Sequence, residues 1–236
     1  MMLDKAPAND DFRHRAAEAA LDDVKPGMKL GLGTGRTAEH FIRLLGARVR
    51  AGLDVIGVAT SQRTAALARA EAIRLTTLDV DPVLDLVVDG ADEIDPKLRL
   101  IKGGGGALLR EKIIATAALR MIVIGEARKF VETLGAFPLP VEIVPFGATA
   151  TRLAIERSMA RIGLDGPMNV RQADGRPYAT DSGNHILDIT FGRIPDPGRL
   201  ARELDAIPGV AEHGLFIGLA TAAIIAGDDG VRRLLV

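Results

Sequence analysis

Within the 23 residues from Asp89 to Glu111 the chain reads Asp-Gly-Ala-Asp-Glu-Ile-Asp, six residues of loop, Lys-Gly-Gly-Gly-Gly-Ala and then a helix that carries Glu111. Carboxylates at Asp89, Asp92 and Glu111 can accept and return protons, and the ammonium of Lys102 can stabilise a developing anion. Each glycine from Gly103 to Gly106 would cost a packed element about 0.5–1 kcal/mol relative to Ala, so four in a row imply a backbone that something approaches closely. A polar ligand is the expected occupant.

A second segment, Gly31-Leu32-Gly33-Thr34-Gly35-Arg36-Thr37, follows an apolar run and opens a helix. In that arrangement backbone N–H groups and the helix dipole bind an anion such as a phosphate. A dinucleotide fingerprint would need its third glycine at position 36, where Arg stands, and no Gly-Lys-Ser/Thr ending is present. Both nucleotide loops are thereby excluded. A monophosphate or a purely structural tight turn remains.

Glu111 has Ala107, Leu108, Ile114, Ala115 and Ala118 three, four and seven positions away. Its carboxylate therefore projects from an apolar helix face, which suits a general base tuned by its surroundings and suits less well a surface residue paired with a cation. Arg110 has a similar setting, but its long stem can carry the charge to water. Asp89, Asp92, Glu93 and Asp95 lack the spacing of an EF-hand loop, and His14, His40, His185 and His213 are dispersed, so no metal is expected. Glu93 and Asp95, with the Asp95-Pro96 reversal, read as a solvated acidic turn. Asp89 and Asp92 are aimed at a cleft by the end of the strand before them.

The elements that position these residues alternate. Up to about Ala136 the pattern predicts helices near Asp11–Asp23, from Thr37, from Ser61 and at Gly106–Leu119. Strands are predicted at Met28–Gly33, Asp54–Ala59, Ile73–Thr77, Leu84–Asp89 and Arg120–Ile124. Such alternation specifies a Rossmann-like, doubly wound parallel sheet, with Asp89 at the carboxyl end of a buried strand. From Phe137 the order becomes β-α-β-β-α-β: strands at Val141–Val144, Met168–Gln172, His185–Ile189 and Val210–Phe216, and helices at Thr149–Ile162 and Arg199–Ile207. That is the order of a ferredoxin-like α+β module. The apolar stretch Leu215–Ala226 then re-enters the first sheet. The expected domains are residues 1–136 with 213–236, and an inserted module at 137–212.

Bulk properties narrow the class. A formal net charge of −1 and few aromatic rings argue against nucleic acid or a membrane surface as partner. The absence of Cys excludes disulfides and thiol catalysis and fits a reducing cytoplasm. The polar opening Met1–Asp10 and the lack of a long apolar run argue against a signal peptide or membrane span. The apolar excess favours a homodimer or homotetramer.

Four motifs occur in order: Gly33-Thr34-Gly35-x-Thr37-Ala38; Asp89-Gly90-Ala91-Asp92-Glu93; Lys102-Gly103-Gly104-Gly105-Gly106-Ala107 with Arg110-Glu111-Lys112; and Phe137-Pro138-Leu139-Pro140-Val141-Glu142. Together they resemble the type A family of ribose-5-phosphate isomerases, from about residue 12 to the C-terminus. The resemblance implies an aldose–ketose isomerase that needs no cofactor and acts on a sugar phosphate. The family's catalytic Glu falls on Glu111, its aspartates on Asp89 and Asp92, and its lysines on Lys102 and Lys129. Its substrate contacts fall on Thr34, Gly35, Arg36, Thr37, Asp89, Gly90, Ala91, Asp92, Lys102, Gly103, Gly104, Gly105 and Lys129. Arg36 departs from the family's usual Ser, and either pairs with the phosphate or turns outward. A sugar-phosphate-sensing module without catalysis would want an attached helix-turn-helix, for which the residues before the first strand are too few. A coenzyme A transferase with a Glu nucleophile would leave Lys102 and the Asp pair unexplained.

Overall fold

The computed structural model describes the backbone of residues 6–235 and the side chains from Asp10 onward. The first residues of the polar opening Met1–Asp10 therefore lie outside the described residues. In chain order the elements are α1 (Ala6–Ala20), β1 (Lys29–Leu32), α2 (Arg36–Arg50), β2 (Ile56–Ala59), α3 (Gln62–Ala70), β3 (Arg74–Leu75), β4 (Leu86–Gly90), β5 (Glu93–Ile94), β6 (Leu100–Ile101), α4 (Leu108–Thr116) and β7 (Met121–Glu126). They continue with β8 (Leu139–Ile143), α5 (Ala148–Arg161), β9 (Met168–Val170), β10 (Gln172–Ala173), β11 (Arg176–Pro177), β12 (His185–Ile189), α6 (Pro197–Asp205), β13 (Val210–His213), β14 (Leu215–Phe216), β15 (Ala222–Gly227) and β16 (Gly230–Leu235).

The chain forms two compact units. The first holds the chain up to Ala91, Arg110–Phe130 and the chain from Gly218 on; the second holds Asp92–Leu109 and Val131–Ile217. The first unit is built on a seven-stranded sheet in the order β16-β15-β7-β4-β1-β2-β3. All neighbours are parallel except β16, which returns antiparallel to β15. Every residue of β7 and β15 is buried, as expected for parallel strands covered on both faces. In α2, Ala38, Phe41, Ile42 and Leu45 follow the helical period and are buried, with Phe41, Ile42 and Leu45 in the same core as Leu30, Leu32 and Ile122. Strand order reverses between β1 and β4, since β2 and β3 lie to one side of β1 and β7 and β15 to the other. Their carboxyl ends mark the switch point at which such sheets bind ligands.

The second unit contains a four-stranded antiparallel sheet in the order β13-β8-β12-β9. With α5 and α6 between the strands, this is the ferredoxin-like module expected from the sequence. Its core includes Leu139, Val141, Ile155, Leu187 and Leu200. Asp196 caps α6 by accepting the Arg199 N–H at 2.9 Å, with Pro197 in the first turn.

Several boundaries differ from expectation. Residues 92–109 group with the second unit instead of with 1–136, because β5 and β6 pair with β14 in a separate three-stranded sheet. The expected strand Val210–Phe216 is broken into β13 and β14, which belong to different sheets. At the break the Gly214 N–H bonds the Pro140 carbonyl at 2.7 Å and its own carbonyl accepts the Lys102 N–H at 2.8 Å, an approach that a side chain would block. Glu93 and Asp95 are not a solvated turn: they are 3% and 0% exposed. Glu93 accepts the Gly135 and Phe137 N–H groups at 2.6 Å each, and Asp95 accepts those of Lys97 and Arg99 at 2.9 Å, so both acids staple loops. Re-entry of the chain into the first sheet begins only at Ala222.

Candidate active site

The residues predicted from sequence divide between the units. Thr34, Gly35, Arg36, Thr37, Asp89, Gly90, Ala91, Glu111 and Lys129 lie in the first; Asp92, Lys102, Gly103, Gly104 and Gly105 lie in the second.

In the first unit, Gly33 leaves β1 against Asp89 at the carboxyl end of β4, and a Cβ at Gly33 would overlap the Asp89 carboxylate. Asp89 is fully buried, and its Oδ1 accepts the Gly90 N–H at 2.7 Å and the Thr34 N–H at 3.1 Å. The carboxylate thus shapes the turn that follows β1. The Thr34 hydroxyl lies 2.7 Å from that of Thr60, 2.8 Å from Ser61 and 2.9 Å from Thr64, a hydroxyl cluster at the start of α3. Gly35, at φ 113°, is the N-cap of α2 and supplies no side-chain cap. The first-turn N–H groups of α2 are therefore open to an anion. Thr37 is buried, whereas Arg36 is exposed and forms no ion pair with a described residue. Beside the loop a cavity of about 180 Å³ is lined by Thr34, Gly35, Arg43, Arg63 and neighbouring residues.

Glu111 is 3% exposed in α4. One turn later, Ile114 packs where a Cβ on Gly31 of β1 would sit. The helix between parallel strands runs opposite to them, so Glu111 lies about 4.5 Å nearer the carboxyl end of β1 than Ile114 does. That is the end at which Gly33 and Asp89 stand. Lys129 donates from Nζ to the Ala91 carbonyl at 2.5 Å, fixing the chain just beyond Asp89-Gly90. At the end of β7, buried Glu126 accepts from Arg13 at 3.0 Å and from Arg128 at 2.7 Å. Burial pushes its carboxyl up, but the Arg128 and Arg13 hydrogen bonds and the charges of Lys129 and Arg13 together hold it below the ordinary value.

In the second unit, Lys102 is 2% exposed, and its ammonium lies 5.5 Å from the centroid of the Phe216 ring. Asp92 accepts the Gly104 N–H through Oδ2 at 2.8 Å. Gly103 has φ 103° and Gly106 φ 79°, in the region where only glycine is unstrained, and the Gly106 N–H closes the turn on the Gly103 carbonyl at 2.9 Å. Arg171, in the link between β9 and β10, also binds this turn, donating to the Gly103 carbonyl at 2.9 Å and the Gly104 carbonyl at 3.2 Å. Sequence reading missed Arg171, its partner Asp188 and the Thr60–Ser61–Thr64 hydroxyls. None has a local spacing signal; they arrive by strand pairing.

A doubly wound unit with a buried acid at its switch point, joined to a ferredoxin-like unit that carries a lysine and a glycine turn, defines the general class as a two-unit α/β protein equipped for acid–base chemistry. The family model for ribose 5-phosphate isomerase A (phosphoriboisomerase A) matches residues 56–230. The ribose-5-phosphate isomerase A of Rhodopseudomonas palustris (strain HaA2) is 60% identical over 226 residues, 95% of this chain and 97% of that protein. That of Agrobacterium fabrum is 60% identical over 220 residues, 93% of this chain and 95% of that protein. A solved D-ribose-5-phosphate isomerase in complex with phospho-erythronic acid superposes with a TM-score of 0.90 at 38% identity, covering 97% of this chain and 99% of that one. The isomerase from Plasmodium falciparum gives 0.91 at 33% identity, covering 96% and 99%. The chain belongs to the ribose 5-phosphate isomerase A family.

Proposed function

We propose that this chain interconverts D-ribose 5-phosphate and D-ribulose 5-phosphate with Glu111 as the general base. The observation that carries the mechanism is the placement of Glu111, a buried carboxylate toward the carboxyl end of the β1 strand. The furanose ring opens first, a proton movement assigned to Asp89, Asp92 and Lys102. Glu111 then takes the proton from C2 of the open aldose, the C2–H electron pair becomes the C1–C2 double bond, and the carbonyl oxygen at C1 becomes an enediolate oxyanion. The same carboxyl returns its proton to C1 while the proton of the C2 hydroxyl passes to the C1 oxyanion, leaving a ketone at C2 and a hydroxyl at C1, so hydrogen and electrons balance. Acid–base transfer of this kind contributes about 10²–10⁴-fold, leaving the remainder to positioning and electrostatics. Lys102 and N–H groups of the Gly103–Gly105 run stabilise the oxyanion. The turn Thr34-Gly35-Arg36-Thr37, with Lys129, holds the phosphate, and Gly90 and Ala91 line the substrate's path with their backbone.

The chain passes between the units at Ala91–Asp92 and at Leu109–Arg110, so Asp89, Asp92 and Glu111 each lie within three residues of a crossing along the chain. The reaction so written asks for neither a metal nor an organic cofactor. No described helix is long and apolar enough to cross a membrane, which is consistent with the cytoplasmic setting we propose. Phe146, 92% exposed, is an apolar side chain suited to burial in a homodimer or homotetramer. The second module is proposed as an insertion into the first. An assay of ribose 5-phosphate conversion with and without chelator tests the reading. Turnover unaffected by chelation is expected, and absence of turnover, or loss restored by a divalent cation, would overturn it.

A further inference from the structure

Arg171 and Asp188 form an ion pair that the proposed reaction does not yet use. Arg171 binds Asp188 through Nε at 2.9 Å and Nη2 at 2.5 Å, each to a separate carboxylate oxygen. Strand pairing explains the meeting: Asp188 of β12 lies opposite Asn169 of β9, and Arg171 stands two residues further along the same face. The fork leaves Nη1 for the carbonyls of both Gly103 and Gly104. Tyr178, whose N–H bonds the Arg171 carbonyl at 2.8 Å, sits where a Cβ on Gly106 would go. All of these residues belong to the second unit.

Two adjacent carbonyls drawn to one guanidinium constrain the amides beyond them. In a trans peptide the N–H points opposite to the C=O, and no peptide among the described residues is cis. The Gly104 and Gly105 N–H groups therefore both face away from Arg171. The Gly104 N–H meets Asp92 Oδ2. The Gly105 N–H, on the same side, makes no hydrogen bond with a described residue, and Gly105 is exposed. A positive charge on the carbonyl end of a peptide also polarises its N–H and strengthens it as a donor. Glycine turns are free to flip their peptides, and an Arg held on both sides removes that freedom.

We infer that Arg171, locked by Asp188, is a positioning residue that turns the Gly104–Gly105 peptide so that its N–H serves as an oxyanion donor. The inference rests on the isomerase reading given above. Removing an oxyanion donor outright costs about 10²–10³-fold in turnover, so misaligning one should cost less, roughly 10–100-fold.

The test is the kinetics of Arg171→Ala with ribose 5-phosphate, and inhibition by inorganic phosphate as a probe of the anion turn. We expect kcat to fall about 10–100-fold while KM and the phosphate inhibition constant stay within about twofold, because the donor acts on the developing charge and the phosphate is held elsewhere. Millimolar guanidinium should restore turnover several-fold, whereas methylammonium should not, since only the planar fork spans Asp188 and the carbonyls. A purely structural role would not answer to guanidinium. Turnover within about threefold of wild type, or a loss in folded protein that guanidinium does not relieve, overturns the inference. If Arg171→Ala does not fold, Asp188→Asn keeps the shape but weakens the lock. A fall in kcat with phosphate inhibition unchanged then supports the inference, and an unchanged kcat overturns it. A wild-type chain that fails to convert ribose 5-phosphate removes the proposed function and this inference together, whereas an active wild type with an indifferent Arg171→Ala removes this inference alone.

Discussion

Glu111 owes its suitability to three neighbouring facts: it is 3% exposed, it lies in the first turns of α4, and Ile114 fixes its helix against β1. Glu111→Gln keeps the shape and loses the proton acceptor. We expect kcat to fall by about 10²–10⁴-fold with phosphate inhibition and melting temperature little changed, and activity within about threefold of wild type would exclude this residue as the base. Arg36 is a different kind of residue. As the first residue of α2 it is exposed and lacks an intramolecular ion pair among the described residues, so any contact with phosphate is made in water. Exposed pairs are worth about 0–1 kcal/mol, so Arg36→Ala should raise KM for ribose 5-phosphate by no more than about fivefold, and less at high salt. A rise of two orders of magnitude would mean that the guanidinium closes onto the phosphate in a desolvated pair.

Elements reach the site through close backbone approaches. The end of β1 passes Asp89 of β4 with no room for a methyl at Gly33, and Asp89 in turn fixes the N–H groups of Thr34 and Gly90. Gly33→Ala should therefore cost about 1–3 kcal/mol by overpacking, read as a lowered urea midpoint, and should raise KM because the turn is displaced. A variant of native stability and native KM would show that the strands part freely. Glu93 works at the same scale, since its carboxylate holds the loop that leads to β8 through two 2.6 Å bonds. Glu93→Ala should destabilise the second unit by a few kcal/mol, because it leaves the buried Gly135 N–H and the half-buried Phe137 N–H without their acceptor, at about 1–3 kcal/mol for a fully buried donor. Proteolysis of that unit would report the change.

For the molecule as a whole, acid is the expected weakness. Glu126 titrates below its ordinary value of 4.5 in the folded protein, since Arg128 and Arg13 outweigh the effect of its burial. A depressed carboxyl contributes stability above the unfolded value that is lost as pH falls through the folded one. Asp23 behaves alike, with desolvation opposed and exceeded by hydrogen bonds from Arg233 and Arg120, and its ordinary value is 3.8. Through Arg13 and Arg233 these acids tie α1 and β16 to the body of the first unit. Stability measured against pH should decline below about 4.5 in the wild type. In Glu126→Gln the decline should be shallower, because one proton fewer is taken up on unfolding. An identical slope in the two proteins would remove Glu126 from the account.

The sequence by itself determined the doubly wound and ferredoxin-like modules, because apolar periodicity of two and of 3.6 residues and the turns between them are local properties. It also disclosed the motifs from Asp89 to Glu111, where the candidate catalytic residues lie close along the chain. Only the tertiary structure decided that Glu93 and Asp95 are buried staples, since burial depends on which loop arrives above a residue. It alone separated β13 from β14 and grouped residues 92–109 with the second unit, because strand partners are chosen by pairing across the chain and not by propensity. Arg171 lies about 67 residues beyond the glycine turn it holds. Its place is set by the register of β9 on β12, and no local pattern of residues encodes a register between segments so far apart.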